Sequence, residues 1–371
     1  MPNAHATTPS KKSMLLLSRL LLSSGFSKPG SNGKTYLLDS ELLNISKEDF
    51  DRLVALASSN HVIVRSMEIF ANAMRATNDA PRASWAEDAL AVERARIQNA
   101  IPFLHSICIA LEDEGHGAIV IKSLDHWPDL GSDLDLYTAA DPASVLELMK
   151  RRFDARLAPR SWGDRLARKW NFLLPALPEA VEIHVGRLGQ TGEQLVLASS
   201  VVRRARRVEV GGFSFRVPAI SDRLMISTLQ RMYRHFYFRL CDIIDSAGLI
   251  EADAIDYIDL ERSATAAGIW EGMATYLAIV SDYVGQYRGS GLRLPQSVTA
   301  TARFGGEKVF YAREFIRVPI LPQAASLYGS QLTGLLRRRQ LESSVRLGLL
   351  PWLATAAAVG QKLTGSDKGI W

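Results

Sequence analysis

The chain has 371 residues, of which 47% are hydrophobic, and a net charge of +5 at pH 7. This length allows one large domain or two to three small ones, and the apolar content is ample for a buried core. The small excess of positive charge, carried mostly by arginine, suits a protein that handles phosphorylated ligands but argues against a chain that binds long nucleic acid. No apolar run reaches the roughly 18 residues that a membrane-spanning helix needs.

The two cysteines, Cys108 and Cys241, both lie in apolar segments with helical periodicity. Two cysteines this far apart in sequence form neither a disulfide framework nor a spaced zinc motif. We therefore expect two buried thiols, no zinc site and a reducing compartment, which together favour a cytoplasmic location.

The predicted elements begin with a lead over residues 1–40, which we expect to be loosely ordered outside the apolar patch Met14–Leu22. The patch resembles a signal peptide, but Arg19 interrupts it and no Ala-x-Ala cleavage site is evident. A short amphipathic or disordered lead is the favoured alternative.

Residues 41–115 form a predicted helical region. Ser46 offers an N-cap with an acidic residue three positions later, and a second helix is expected over residues 62–76. A third helix is expected over residues 93–114, with a kink or a break at Pro102, because proline cannot donate to the helical hydrogen-bond ladder.

Residues 116–218 are predicted to be a mixed α/β unit organised around two strands. A short apolar run at residues 118–121 predicts a buried strand, and the alternation in Asp133–Tyr137 predicts a second one. Because a strand has a period of two, Asp133 and Asp135 share one face, about 7 Å apart. Neighbouring carboxylates repel each other, so a divalent cation between them is the simplest explanation, although an Asp-x-Asp on an exposed strand is also common without function.

A third strand is predicted at Ala180–Val185, where Glu182 and His184 fall on the same face. Two-metal phosphoryl transfer needs a third carboxylate beside the first two, and Glu182 has the chemistry for that role. The alternative is a solvated strand face that carries one glutamate and one histidine. The rest of this unit is predicted to be a helix over residues 142–153, a strand over 170–174 and a hairpin over 208–217 with a Gly-Gly turn.

Residues 219–290 are predicted to be helical and to close a cleft over the sheet. A long helix over residues 221–247 would carry four polar residues on one face: Arg231, His235, Arg239 and Asp242. That face either looks into the cleft and holds triphosphate oxygens, for which arginine is well suited, or is a solvated face with internal salt bridges. Two further helices, over residues 256–267 and 270–287, complete a small bundle.

Residues 291–371 form a C-terminal extension with predicted helical content. It contains the basic cluster Arg337–Arg339 and then a mostly apolar stretch, Leu347–Val359, which is too short to span a bilayer. Peripheral contact with a membrane surface and packing against protein, in the core or in a dimer, both fit this pattern, and we favour packing against protein.

The residues around the two aspartates resemble the signature of the DNA-polymerase-β-like nucleotidyltransferase superfamily, in which a Gly-Ser pair after the first strand leads to an Asp-x-Asp on the second. The matching residues here are Ser123 and the run Gly131-Ser132-Asp133-Leu134-Asp135-Leu136. More closely, the chain resembles the large bacterial family of uncharacterised nucleotidyltransferases, through Val181-Glu182-Ile183-His184 and the later Arg231, His235 and Arg239. That family ends its first strand with Lys-Gly, where this chain has Lys122-Ser123.

The resemblance extends, with decreasing strength, over residues 50–290. It implies an α+β fold with a polymerase-β-like nucleotidyltransferase core, which is a small mixed sheet with helices, flanked by N-terminal and C-terminal helical regions. The implied reaction transfers a nucleoside monophosphate from an NTP to an acceptor hydroxyl.

The resemblance also implies roles for individual residues. Asp133, Asp135 and Glu182 would be the catalytic carboxylates and would bind Mg²⁺, for which Mn²⁺ can substitute. The NTP would be contacted by Lys122, Ser123, Gly131, Ser132, His184, Arg231, His235 and Arg239. The acceptor stays open, with a small molecule or a protein favoured over long nucleic acid, and the sequence predicts no oligomeric state.

Two other functions fit part of the pattern. A metal-dependent glycosyltransferase also uses an Asp-x-Asp, but it usually has a nucleotide-binding α/β half before the motif, where this chain is predicted to be helical. A non-catalytic module that keeps the fold for binding or scaffolding is favoured by the serine at position 123 and disfavoured by the presence of all three carboxylates.

Overall fold

The computed structural model describes residues 11–23 and 40–364. The α-helices are α1 (Lys11–Leu22), α2 (Ser40–Leu43), α3 (Lys47–Ser59), α4 (Ile63–Ala76), α5 (Ala80–Asp113), α6 (Pro142–Phe153), α7 (Trp162–Leu166), α8 (Leu197–Arg204), α9 (Ile220–Tyr233), α10 (Leu240–Glu251), α11 (Tyr257–Ala267), α12 (Trp270–Arg288), α13 (Gln296–Thr301), α14 (Ala325–Arg337) and α15 (Leu341–Thr364). The strands are β1 (Ala118–Val120), β2 (Asp133–Thr138), β3 (Arg156–Leu157), β4 (Lys169–Leu173), β5 (Ala180–Val185), β6 (Arg206–Val210), β7 (Phe213–Val217), β8 (Tyr237–Phe238), β9 (Phe310–Ala312) and β10 (Phe315–Arg317).

A five-stranded mixed sheet with the strand order β1-β2-β5-β4-β3 forms the centre of the α/β region. Strands β2 and β5 run parallel, and each of the other neighbouring pairs in this sheet is antiparallel. Among the described residues, two smaller sheets complete the β structure: the hairpin β6-β7 and the three-stranded sheet β8-β10-β9. The chain is therefore α+β, with a small mixed sheet that is flanked in sequence by helices.

The alternation of apolar and polar residues along β2 and β5 determines how these strands face the core. Leu134 and Leu136 of β2 and Val181 and Ile183 of β5 are fully buried. Successive side chains of a strand point to opposite faces, so the polar residues between them lie together on the other face. The three strands predicted around residues 118–121, 133–137 and 180–185 are thus confirmed.

Several local predictions are also confirmed. Ser46 caps α3, because its hydroxyl accepts a hydrogen bond from the Asp49 N–H (3.1 Å). Gly211 and Gly212 form the hairpin turn with φ values of +59° and +83°, which glycine adopts without strain. Both cysteines are buried and free.

The N-terminal lead differs from its predicted loose order. Residues 11–22 form α1, and Leu17 and Leu22 are completely buried. The helix packs against α3, α4 and α12, and the Ser18 hydroxyl lies 2.8 Å from the Tyr283 hydroxyl of α12. Tertiary packing stabilises a helix this short, and its own sequence does not reveal that packing. The remaining parts of the predicted lead, residues 1–10 and 24–39, lie outside the described residues.

Helix α5 is longer than predicted, since it begins at Ala80 and continues through Pro102 without a break. Asp79 caps its start, because the carboxylate accepts a hydrogen bond from the Arg82 N–H (3.1 Å). Proline removes one hydrogen bond from the helix, but α5 packs against α4, β1 and β7, and these contacts outweigh the loss.

The single long helix predicted over residues 221–247 is wrong. Helices α9 and α10 are separate, and the short strand β8 lies between them. Phe236 has a φ of +55°, and Tyr237 pairs with Arg317 of β10. The aromatic run favours this extended pairing. The four polar residues predicted to share one helix face therefore do not do so: Arg231, His235, Arg239 and Asp242.

In the described part of the chain, no helix combines the length and the apolar character that crossing a bilayer requires. The C-terminal extension contributes α13, β9, β10, α14 and α15. Leu335 and Leu347 are buried there, whereas Leu349 and Trp352 are exposed. The extension thus packs against the rest of the protein through one side, and its contact with a membrane surface stays a prediction.

We expect Leu17→Ala to lower the free energy of unfolding by about 2–5 kcal/mol, because it leaves a cavity at a fully buried position. Urea unfolding followed by circular dichroism measures this change. Leu15→Ala is the matched control, since Leu15 lies on the exposed side of α1, and it should change the free energy by about 0.5 kcal/mol or less. Equally small effects of both substitutions would mean that α1 does not pack on the core.

Candidate active site

Three carboxylates lie on one face of two neighbouring parallel strands. Asp135 of β2 is directly opposite Glu182 of β5 in the strand register. Asp133 lies two residues before Asp135 and so on the same face. Asp135 and Glu182 are buried, each 8% exposed, whereas Asp133 is exposed. The group therefore extends from the surface into the protein.

Two lysines compensate the buried carboxylates. The Lys122 ammonium contacts Asp135 Oδ1 and lies 3.1 Å from Glu182 Oε1. The Lys169 ammonium lies 2.8 Å from Glu182 Oε2 and 2.9 Å from Asp164 Oδ1. Because a buried charge without a partner is strongly destabilising, both lysines help to keep the site folded.

Lys169 and Asp164 are parts of the site that the sequence did not indicate. Lys169 is the first residue of β4 and pairs with His184 in the strand register. The predicted strand began one residue later, so Lys169 was not assigned to a strand face. Alternation along β4 is the signal that could have found it, because Lys169 and Asn171 share the face opposite to Trp170.

Asp133 is the one carboxylate of the three whose side chain has no hydrogen bond or ion pair to a described residue. Although Asp133 is exposed, protein on several sides reduces its solvation, and this effect together with Glu182 raises its pKa. Lys122, Lys169 and Arg239 act in the opposite direction. The Asp133 carboxylate is thus available to a ligand that brings positive charge.

The two buried carboxylates differ in their protonation. Burial raises the pKa of Asp135 well above its usual range, and Lys122 offsets this only in part. Burial acts in the same direction on Glu182, but Lys122, His184 and Lys169 hold the pKa of Glu182 well below its usual range. Glu182 therefore keeps its negative charge, and Asp135 takes up a proton first as the pH falls.

His184 is neutral at physiological pH, since burial lowers its pKa to about 4 although Glu182 acts to raise it. The His184 Nε2 lies 2.9 Å from Glu182 Oε1. Because Glu182 is ionised and can only accept, Nε2–H is the donor of this hydrogen bond. The other ring nitrogen, Nδ1, is buried and has no hydrogen-bond partner among the described residues.

The residues directly after β1 brace the strand that carries the aspartates. Lys122 has a φ of +64°, in the region that favours glycine. The Ser123 hydroxyl accepts a hydrogen bond from the Asp135 N–H (2.7 Å) and donates one to the Asp133 carbonyl (3.2 Å). Ser123 thus binds the backbone of β2, and its hydroxyl is already engaged there.

Arg96 of α5, which the sequence did not single out, holds the Gly131-Ser132 turn. It donates hydrogen bonds to the carbonyls of Leu130 (3.0 Å) and Gly131 (3.2 Å) and pairs with Glu179 (2.6 Å). Gly131 is buried and Ser132 is exposed. Ser132 is therefore the member of the pair that a ligand can reach from solvent.

The guanidinium of Arg231, which the sequence assigned to phosphate, is engaged in a buried ion pair. The Arg231 Nε lies 2.7 Å from Asp242 Oδ2, and both side chains are buried. The pair connects α9 to α10, so Arg231 has a structural role in this structure.

Arg239 and His235 both interact electrostatically with charged residues of the site, Arg239 with Asp133 and His235 with Lys122. Arg239 acts electrostatically on Asp133 and has no ion-pair partner among the described residues. Its guanidinium carbon lies 5.9 Å from the ring centres of Tyr237 and Phe315. These two rings stack with their centres 4.3 Å apart, so the C-terminal extension contributes Phe315 to this side of the site. Burial lowers the pKa of His235 to about 3, and its ring is neutral.

In comparisons with known proteins, no family model, no curated protein and no solved structure matches the chain. The family resemblance of the Asp-x-Asp segment stays a prediction. The site is therefore interpreted from its own residues.

We expect the His184 ring to titrate near pH 4 rather than at its ordinary value of 6.5, as measured by NMR of the imidazole. Because the unfolded chain then binds the proton first, His184 contributes stability above pH 6.5 that is lost as the pH falls from 6.5 toward 4. In Glu182→Gln the carboxylate that raises this pKa is absent, and the pKa of His184 should fall further. A His184 pKa near 6.5 in the folded protein would contradict the burial of this ring in the site.

Lys122→Met should destabilise the protein by about 3–5 kcal/mol at neutral pH, because it removes a counter-charge from two buried carboxylates. The loss should shrink as the pH is lowered, since protonated carboxylates no longer need the ammonium. Urea unfolding at neutral and acidic pH measures both effects. Lys150→Met, at an exposed position of α6, is the control and should change the free energy by about 0.5 kcal/mol or less. Equal effects of the two substitutions would show that the ion pairs of Lys122 contribute nothing.

Proposed function

We propose that this chain is a metal-dependent nucleotidyltransferase with a polymerase-β-like core, which transfers a nucleoside monophosphate from an NTP to an acceptor hydroxyl. The observation that carries the proposal is the register of β2 and β5, in which Asp135 lies beside Glu182 with Asp133 on the same face. Phosphoryl transfer of this kind depends on positioning and charge stabilisation, and carboxylates on a rigid sheet suit it.

The donor set fits Mg²⁺. Asp133, Asp135 and Glu182 offer only oxygen ligands. The ligand atoms of Asp135, Glu182 and the neighbouring His184 lie within 4.8 Å of one another, and Asp133, whose side chain has no other partner among the described residues, lies on the same face. Bound there, Mg²⁺ would neutralise charge on the phosphate oxygens and on the attacking oxygen. Mn²⁺ prefers similar oxygen ligands and is an acceptable substitute.

Lys122 supports the same activity through its charge. Its ammonium is a compact charge on a flexible stem, and it neutralises Asp135 and Glu182 in the chain without a ligand. When a cation compensates those carboxylates, the same ammonium is free to pair with phosphate oxygens. Lys169 remains paired with Asp164 and Glu182 and keeps Glu182 in position.

Arg239 is the arginine best suited to bind phosphate. It has no ion-pair partner among the described residues, so its planar fork is available for bidentate pairing with phosphate oxygens. The stacked rings of Tyr237 and Phe315 beside it offer an aromatic surface for a nucleobase. Arg231 is excluded from this role by its buried pairing with Asp242.

A second candidate function is a catalytically degenerate module that binds an NTP without transferring it. Lys122 favours this function because it occupies the space between the two buried carboxylates. The Ser123 hydroxyl, which is engaged by the backbone of β2, favours it as well. A glycosyltransferase gains no support, because the described residues before β1 form helices rather than a nucleotide-binding α/β half.

The test is NTP binding by isothermal titration calorimetry, with ATP, CTP, GTP and UTP in turn, with and without Mg²⁺. We expect Mg²⁺-dependent binding that weakens at least about tenfold in the double variant Asp133→Asn/Asp135→Asn, because charge-assisted contacts are lost. Asp88→Asn, at an exposed position of α5, is the matched control and should bind like the wild type. The proposal would be ruled out if the folded wild type bound no NTP. It would also be ruled out if NTP affinity were the same with and without Mg²⁺ and the same in the double variant as in the wild type.

Transfer of label separates the enzyme from the binding module. With an NTP labelled at the α-phosphate, the enzyme should release pyrophosphate and label a hydroxyl acceptor, which we expect to be a small molecule or a protein. A module would bind the same NTP with the same Mg²⁺ dependence and leave every acceptor unlabelled.

A further inference from the structure

A second cluster of metal-ligating side chains lies outside the candidate active site. It combines His61, from the turn between α3 and α4, His126, from the 3₁₀ turn Ser123–His126, and Cys241, from the first turn of α10. The ligand atoms of the three side chains all lie within 4.8 Å of one another. No short motif joins them, because 115 residues separate His126 from Cys241 alone.

A carboxylate orients His126. The His126 Nδ1 lies 2.5 Å from Asp245 Oδ2, and Arg65 donates a hydrogen bond to the other oxygen of Asp245 (2.5 Å). The Nε2 of the same ring therefore points at Cys241. A carboxylate behind the non-ligating nitrogen is the usual outer partner of a metal-bound histidine.

The separation of Cys241 and His126 matches tetrahedral zinc. The Cys241 Sγ lies 3.6 Å from His126 Nε2. Zinc bonds of about 2.3 Å to sulfur and about 2.05 Å to nitrogen, at the tetrahedral angle, put the two ligand atoms about 3.6 Å apart. One ion can therefore bind both atoms without moving either side chain.

His61 offers a third ligand that has no partner of its own. Its Nδ1 is buried and has no hydrogen-bond partner among the described residues, which is unfavourable for a polar atom. The rings of His61 and His126 lie with their centres 5.9 Å apart.

We propose that His61, His126 and Cys241 form a site for one Zn²⁺ ion, with Cys241 bound as the thiolate. Zinc accepts sulfur and imidazole nitrogen, whereas Mg²⁺ prefers oxygen, so this site and the three carboxylates select different ions. On binding, the thiol proton and any proton on His126 Nε2 leave to solvent. This site departs from the sequence-based expectation that the chain has none, and water would complete the fourth position.

The nearby arginines do not prevent cation binding, because two of them are already compensated. Arg65 pairs with Asp129 and Asp245, and Arg231 pairs with Asp242. Each of these carboxylates lies within the same packed region as the cluster. Arg239, which also acts on His61, has no ion-pair partner among the described residues, so the Cys241 thiolate would offset its charge as well as part of the charge of the ion.

The ion would join three parts of the chain behind the candidate active site. His61 Cε1 lies 3.5 Å from the position that a Cβ on Gly131 would occupy, so the cluster backs the turn that leads to Asp133. His126 belongs to the same β1–β2 connection as Lys122. Zinc loading would stiffen this connection. Its ligands and its test are separate from those of the nucleotidyltransferase, so either proposal can fail alone.

A nucleophilic cysteine is the competing interpretation. The order Cys241, His126, Asp245 matches a nucleophile, a base and an orienting carboxylate. A nucleophile must reach its substrate, but Cys241 is completely buried, and burial raises the pKa of its thiol. A small ion suits such a position better than a substrate does.

The test uses the full chain, stripped with a chelator and reloaded with Zn²⁺ or Co²⁺. Mass spectrometry of the metal content should give one zinc per chain, and Co²⁺ should give a thiolate-to-metal charge-transfer band with tetrahedral d–d absorption. Cys241→Ser should abolish the band and weaken Zn²⁺ binding at least about 100-fold, and Asp245→Asn should weaken it about 10–100-fold. Cys108→Ser removes the other buried free thiol and is the matched control, with zinc binding unchanged.

His61→Asn is a second ligand variant, so the result does not depend on whether Cys241→Ser folds. Zinc that binds equally to the wild type and to the folded ligand variants, or a Co²⁺ spectrum without the thiolate band, would put the metal elsewhere and overturn the proposal. A folded wild type that binds no zinc also overturns it. Rapid alkylation of Cys241 by iodoacetamide in that zinc-free protein would identify a nucleophile instead.

Discussion

The buried carboxylates Asp135 and Glu182 depend on positive charge, and the strands on either side of them supply it. Lys122 lies two residues after the end of β1 and Lys169 begins β4, so ammonium groups reach the pair from both directions. Removing one partner of a buried ion pair is strongly destabilising, whereas an apolar replacement of the whole group is often neutral or stabilising. Stability alone therefore does not explain why this chain has charges here. The contact of Lys122 with Asp135 and Glu182 also distinguishes the two candidate functions. In an enzyme, a metal ion and the substrate must replace the Lys122 ammonium at these carboxylates, whereas in a binding module the ammonium can stay.

The part of the site that the sequence predicted follows from strand periodicity. In β2 and β5, burial of the leucine, valine and isoleucine positions on one face fixes which residues occupy the other face. The common face of Asp133, Asp135 and Glu182 therefore required only the pattern of each strand and the assumption that the two strands are neighbours. Local signals were equally sufficient for the cap at Ser46 and for the Gly-Gly turn of the hairpin, since turn and cap chemistry acts over a few residues.

The elements that the sequence did not predict depend on partners far along the chain. The helix predicted through residue 247 breaks because Phe238 pairs with Ile316 of the C-terminal extension, and nothing local indicates that pairing. Residues 11–22 form a helix that packs on the core because α3, α4 and α12 cover its leucines. Lys169 was missed for a different reason, which is that an error of one residue at the start of a strand removes a side chain from the predicted face. The cluster of His61, His126 and Cys241 could not be predicted either, because its members are far apart in sequence and only the fold brings them together.

The connection between β1 and β2 is braced by several helices, and this explains why both proposals concern the same loop. Arg96 of α5 binds two of its carbonyls, Asp129 accepts a hydrogen bond from a backbone N–H of α4 (2.6 Å), and His126 pairs with an aspartate of α10 (2.5 Å). Asp133 begins the strand directly after this loop. In an enzyme that contributes mainly position and countercharge, a displacement of about 1 Å in a charged group is costly, so the proposed activity would require a rigid loop. A zinc ion behind the loop would add a further brace, and its loss would loosen the carboxylates without removing any of them.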